Sequence, residues 1–245
     1  MFLGISADAW SYVFIGVLIL AGTITQGTIG FGLGTIATPI IALVRPELVP
    51  TLILLLALCI SSYTLSRTFR ETSWRVVSIS TLARIPGSVL GAWAIASLSS
   101  DGLSIFIGCA VLLAMTLSSL GWSPRPTTLN TLIAGIASGI LGTSTSIGGP
   151  PMALIMKRFN PARTRGTLAG TFVLGTLISL IALALNGQIS STQVSAAAAY
   201  FPLVVIGLIG ANYLNRFIDR HLLNRIVIIV AISAALMLII EAALL

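Results

Sequence analysis

Long apolar stretches fill this chain, and polar residues interrupt them only in short clusters. Two long charge-free stretches, Ala9–Val44 and Pro126–Met156, open the two halves of the chain. Leu48–Ser66, Val76–Ser97 and Gly102–Leu120 follow the first, and Gly166–Asn186, Ser195–Asn215 and Leu222–Leu244 follow the second. Each of these is about as long as the ~18 apolar residues that mark a membrane-crossing helix. The pattern predicts an all-α polytopic membrane protein.

The opening stretches of the two halves differ from the rest in their glycine and proline. One contains Gly30-Phe31-Gly32-Leu33-Gly34-Thr35-Ile36-Ala37-Thr38-Pro39, and the other contains Gly142-Thr143-Ser144-Thr145-Ser146-Ile147-Gly148-Gly149-Pro150-Pro151. Glycine clusters and proline break helices, through backbone freedom and a missing N–H. In a bilayer a broken helix is tolerated only where protein or a watery cavity satisfies the freed backbone. Matched breaks in two halves of an apolar chain point to a transporter's binding site. Sparse parallels support the division: Pro46 with Pro161, Arg84-Ile85-Pro86 with Tyr200-Phe201-Pro202, and Gly91-Ala92 with Gly210-Ala211. The chain therefore reads as two membrane repeats, 1–122 and 123–245. Each has a broken or re-entrant first segment plus three transmembrane helices.

Charge sets the orientation. Lys and Arg number 13 against 6 Asp and Glu, and only 8% of residues are charged, with a mean hydropathy of +1.07. A soluble domain would have about 25%. If both broken segments return to the face they left, Arg67, Arg70, Arg75, Arg125, Lys157, Arg158, Arg163, Arg165, Arg216, Arg220 and Arg225 share one face. Arg45 is then opposite and Arg84 lies in the membrane. The positive-inside rule prefers this to a single crossing by Leu129–Met156, and makes the basic face cytoplasmic. The halves become inverted repeats with both termini outside. Length agrees, because Leu129–Leu141 makes only ~20 Å of helix against a ~30 Å core. Ala9–Gly27 could nearly span, so the first segment is open between hairpin and crossing.

The basic loops are thus explained by orientation, and nucleic acid is not an expected partner. The bilayer is. No signal peptide is expected, and no soluble domain beyond Leu245. Cys59 and Cys109 read as small core residues. Trp10, Trp74 and Trp122 read as interface anchors and Trp93 as packed inside. Gly87-x-x-x-Gly91, Gly135-x-x-x-Gly139 and Gly166-x-x-x-Gly170 read as close helix packing.

A hairpin tip places a helix N-terminus near the midplane, with free N–H donors and a partial positive charge. The substrate-binding candidates are Gln26, Thr28, Gly30, Phe31, Gly32, Gly34, Thr35 and Thr38 in the first tract. In the second they are Gly142, Thr143, Ser144, Thr145, Ser146, Gly148 and Gly149. Arg84 joins them as a cation deep in a span, with no carboxylate at matching depth. Asp8, Glu47, Glu71, Asp101, Asp219 and Glu241 all lie in loops or near span ends, and His221 in a loop. No buried proton relay, metal site, cofactor or catalytic residue is expected. The chemistry favours a transporter of a small anion. A cation or metal transporter using the broken helices' carbonyls is the alternative. An intramembrane hydrolase built on Ser144 or Ser146 lacks a His base. A mere scaffold leaves Arg84 and the breaks unexplained.

The chain resembles the TauE/SafE family of sulfite exporters and toluene-sulfonate uptake permeases. The residues that carry this are Gly27-Thr28-Ile29-Gly30-Phe31-Gly32-x-Gly34 through Pro39, and Gly139-x-x-Gly142 through Pro150-Pro151. Asn160-Pro161-Ala162-Arg163 followed by Gly166-Thr167 is also similar. The resemblance implies movement of sulfite, sulfoacetate or a related organosulfur anion across a bacterial inner membrane, with export the expected direction. It implies a substrate region at the glycine-rich segments. The second tract is richer in Ser and Thr and poorer in glycine, which argues against a strictly symmetric site. The oligomeric state is left open, with a homodimer compatible.

Overall fold

The computed structural model describes residues 7–119, 123–214 and 220–244. Trp122, Arg216 and Asp219 lie outside the described residues. In order the helices are α1 (Ala7–Ile29), α2 (Leu33–Val44), α3 (Thr51–Thr68), α4 (Trp74–Ser97) and α5 (Ser100–Ser119). Then come α6 (Thr128–Thr145), α7 (Gly149–Ile155), α8 (Pro161–Leu185), α9 (Ser191–Leu214) and α10 (Arg220–Leu244). Among the described residues there is no strand. Local chemistry sets several starts. Thr127 caps α6 by accepting from the Asn130 N–H at 3.2 Å, and Asn160 caps α8 by accepting from the Arg163 N–H at 2.8 Å. Pro161 opens α8, where its missing N–H costs nothing.

Among the described residues six helices, α1, α3, α4, α8, α9 and α10, are long and apolar enough to cross a membrane, while α5, expected as a full span over Gly102–Leu120, is a shorter apolar helix over Asp101–Thr116. They turn apolar side chains outward and small or polar ones inward, as lipid demands. On α4, Leu82, Ile85, Val89 and Trp93 are exposed, while Ser80, Arg84 and Ser88 are buried. Trp93 is 65% exposed, contrary to the expectation that it packs inside. It shares the lipid-facing side with Leu82 and Val89, where a large apolar ring is at home. Cys109 is likewise exposed on α5 rather than in the core, and Cys59 is half-buried.

The halves repeat in their packing. α1 lies on α9 as α6 lies on α4, and α2 lies on α10 as α7 lies on α5. α3 pairs with α8, and α5 with α10, counterpart against counterpart. The α4–α6 contact is closest because glycines face carbonyls. A Cβ on Gly87 would strike the Ile136 carbonyl, and one on Gly139 would lie 2.6 Å from the Arg84 carbonyl oxygen.

Both broken segments turn back. Gly30 (φ 96°) and Gly32 (φ 145°) supply the left-handed backbone that reverses the chain between α1 and α2. The Arg45 guanidinium, just after α2, lies over the Tyr12 ring at 5.0 Å, near the start of α1. The first segment is therefore a hairpin, although α1, at about 34 Å, is long enough to cross. In the second, Arg158 Nε donates to the Ser123 carbonyl at 3.2 Å, which closes the base of α6–α7. The breaks are shorter than the glycine tracts suggest. α6 runs on through Gly142 to Thr145 because the Ser144 and Thr145 hydroxyls bond back to the Ile140 and Leu141 carbonyls at 2.6 Å each. Only Ser146–Gly148 is unwound, with Ser146 left-handed at φ 59°.

Two ends of the bundle emerge. At one, the Ser73 N–H donates to Thr167 Oγ1 at 3.0 Å, which joins the 67–75 turn to the 157–167 segment. At the other, Gln193 Nε2 donates to the Glu47 carbonyl at 2.9 Å. Gly187 and Lys157 thus lie at opposite ends. With Cys59 and Cys109 replaced by alanine, Gly187→Cys and Lys157→Cys are expected to react with an impermeant thiol reagent from opposite sides of sealed vesicles. Labelling from the same side would end this arrangement.

Candidate functional site

The two hairpins enter from opposite ends and pass each other. A Cβ on Gly22 would sit 3.0 Å from Leu33 Cα, so α1 continues about two turns beyond the point where α2 begins. Its tip, Gly30, rests on Arg165. The opposing tip reaches the other way, and Ser146 Oγ donates to the Pro50 carbonyl at 2.9 Å, beside the start of α3. Where they pass, Gly34 lies against the Ser146 carbonyl, with no room for a side chain.

A cavity of about 30 Å³ lies at this crossing. That is room for about two waters. Gln26, Phe31, Gly32, Gly34 and Thr35 line it from the first hairpin, and Gly142, Ser146, Gly148 and Gly149 from the second. Arg84 completes the set from α4. The remaining sequence candidates lie outside the lining. Thr28, Ser144 and Thr145 bond their hydroxyls to carbonyls one turn back in their own helices. Thr143 Oγ1 meets Ser179 Oγ at 2.7 Å, Thr38 is buried beyond the cavity, and Gly30 packs on Arg165 and Leu168.

Arg84 dominates the chemistry. It is 2% exposed, among the largest fully enclosed side chains. Nη1 donates to Ser138 Oγ at 2.9 Å and Nη2 to Ser179 Oγ at 3.2 Å, while Nε has no hydrogen-bond partner among the described residues. Both partners are neutral. Small residues make this socket: a Cβ would lie 2.5 Å from Arg84 Cδ at Gly175 and 3.0 Å from Nη1 at Gly148, and at Gly142 it would collide with Nη2. Burying a cation without a counter-charge costs several kcal/mol. An anion in the cavity would offset that cost.

The first turn of α2 adds to the positive field. The N–H groups of Leu33, Gly34 and Thr35 have no acceptor within the helix, and Gly32, Gly34 and Thr35 line the cavity. The second hairpin differs here. Pro150 and Pro151 occupy the start of α7, so the amide donors expected there are largely missing. The hydroxyls of Thr35 and Thr176 line the cavity and form no hydrogen bond among the described residues.

Thr176, Phe172, Leu54, Ala57 and Ile147 line the cavity without having been singled out in the sequence. Ser138, Ser179 and Gly175 hold Arg84 in the same way. A signal for α8 was present: Gly175, Thr176 and Ser179 extend the small and hydroxyl stripe that begins at Gly166. Removing either hydroxyl strips a hydrogen bond from a buried charge, worth about 1.5–3 kcal/mol. Ser138→Ala and Ser179→Ala are each expected to lower thermal stability in detergent by about that amount. Unchanged unfolding of both would mean that Arg84 is held otherwise.

Helical hairpins held inside an apolar outer surface suit a membrane transporter. The chain belongs to the TauE/SafE family: the model described as "Sulfite exporter TauE/SafE" matches residues 14–238. No curated protein and no solved structure matches the chain.

Proposed function

We propose that this transporter carries sulfite, or a small organosulfonate such as sulfoacetate, out of the cell across a bacterial inner membrane. The observation that carries this reading is Arg84, enclosed beside the cavity, with Nε unpartnered and only neutral groups around it among the described residues. A cation site would need oxygen ligands where this guanidinium stands. The cavity's size favours the smaller anion. The halves 1–122 and 123–245 act as inverted repeats, with the basic end in the cytoplasm and the Arg45 end outside. An inside-negative potential then favours outward movement of the anion.

Counterflow in proteoliposomes tests this, with labelled sulfite, sulfoacetate and sulfate and with pH and Na⁺ varied. Sulfite is expected to exchange fastest. Absence of sulfite counterflow, with accumulation of a labelled divalent cation instead, would transfer the site to the alternative.

A further inference from the structure

We propose that a second cavity, at the basic end of the bundle between α1, α3, α8 and α9, is a recruiting site for the same class of small oxyanion and feeds the buried one. The proposal rests on the anion reading above and adds a binding site and a route to it. This cavity measures about 240 Å³. Gly27, Tyr63, Arg67, Arg165 and Asn212 are among the residues that line it. Among the described residues no acidic side chain lines it. Arg67 is exposed and forms no hydrogen bond or ion pair among the described residues. Asn212 Nδ2 donates to the Tyr63 hydroxyl at 2.8 Å, which leaves the phenol its own proton to donate. The Arg67 guanidinium, a phenol and an amide suit an oxyanion that keeps part of its water, and Arg165, which already has a partner, adds to the positive field.

The two cavities share their walls. On α3, Leu54 and Ala57 face the buried cavity, and Thr64, Arg67 and Thr68 face the outer one. Ser61 lies between them on the same helical face. On α1, Gln26 lines one cavity and the next residue, Gly27, the other. On α8, Phe172 and Thr176 line the inner cavity and Arg165 the outer, with Leu168 between them, packed on Gly30. One polar contact closes the gap: Gln26 Nε2 donates to Ser61 Oγ at 3.3 Å, in a buried position. A bond this long is weak. Along α3 and α8 the two linings are about two turns, or ~10 Å, apart, and Gln26, Ser61 and Leu168 lie in that gap. A cleft of one sign raises the local concentration of its counter-ion, so occupancy at Arg67 supplies the inner site.

The test uses the full chain in phosphatidylcholine vesicles with labelled sulfite. Arg67→Gln is expected to raise KM about three- to tenfold with kcat unchanged, and the effect is expected to shrink as ionic strength rises. Arg67→Lys should keep most of the affinity. Arg70→Gln, exposed at the same end but outside the cavity, should match wild type. Equilibrium binding of sulfite in detergent should show two sites in wild type. Arg67→Gln should remove the weaker one and Arg84→Gln the tighter one. An unchanged KM for Arg67→Gln, or an equal rise for Arg70→Gln, overturns the proposal. So does an Arg67 effect that appears only when phosphatidylglycerol is added, since a lipid headgroup would then own the site. If wild type neither binds nor exchanges sulfite, the underlying anion reading falls first. If Arg84→Gln abolishes binding and Arg67→Gln leaves it whole, the recruiting site alone falls.

Discussion

Replacing Arg84 with glutamine is expected to cut sulfite exchange by two to three orders of magnitude, on the order of 3–4 kcal/mol of lost interaction with a desolvated charge. The same variant is expected to unfold at an equal or higher temperature in detergent. Glutamine keeps a polar end for Ser138 or Ser179 but removes a cation that has no counter-charge among its neighbours. Neutralising such a group relieves its desolvation cost. This pairing of lost transport with retained stability separates a binding role from a structural one. A structural Arg84 would give the reverse, with transport falling only as far as the fold does. Arg84→Lys should also be impaired, because an ammonium group lacks the planar fork that reaches two hydroxyls at once. An unaltered exchange rate in Arg84→Gln would remove the centre of the functional reading.

Gly34→Ala is expected to destabilise the protein by about 3 kcal/mol or more, at the upper end of what overpacking costs. The added methyl would meet the Ser146 carbonyl, and it would meet backbone rather than a side chain that could rotate away. Ser146 cannot easily retreat, because it holds a left-handed turn and its hydroxyl is bonded to Pro50. Gly210→Ala is the control. There the nearest atoms would stand 3.7 Å away, in ordinary contact, so little change is expected. Thermal unfolding in detergent reads both. Equal stability of the two variants would mean that the hairpin crossing is not tight.

Much of this was legible in the residues. Apolar run length located every long helix, with shifts of a few residues at the ends. The α8 start moved from Gly166 to Pro161 because Asn160 and Pro161 form a cap that hydropathy does not register. Charge asymmetry pointed to re-entrant segments, and the structure closes both hairpin bases. The shortness expected of Leu129–Leu141 did not hold, because α6 runs over Thr128–Thr145, about 27 Å rather than ~20 Å. Hydroxyl chemistry was read less well. Thr28, Ser144 and Thr145 look like substrate donors in a string of letters, yet their helices offer carbonyls one turn back. The socket around Arg84 was hidden for a different reason. Ser138, Gly175 and Ser179 come from helices far apart in the chain, and only the fold brings them together. Trp93 shows the limit of depth arguments, since position along a span does not say which side faces lipid.

The proline pair at the head of α7 has a consequence for how the two halves divide the site. Arg84 and the amide-bearing turn of α2 both belong to the first half of the chain, while Gly142, Gly148, Gly175, Ser138 and Ser179 belong to the second. One copy brings the charge and the other brings the mould that receives it. A pairing of two first halves would contain two cations and no mould, and two second halves would contain a mould with nothing to hold. The charge and the pocket that receives it therefore come from opposite halves of the chain, and neither half alone holds both.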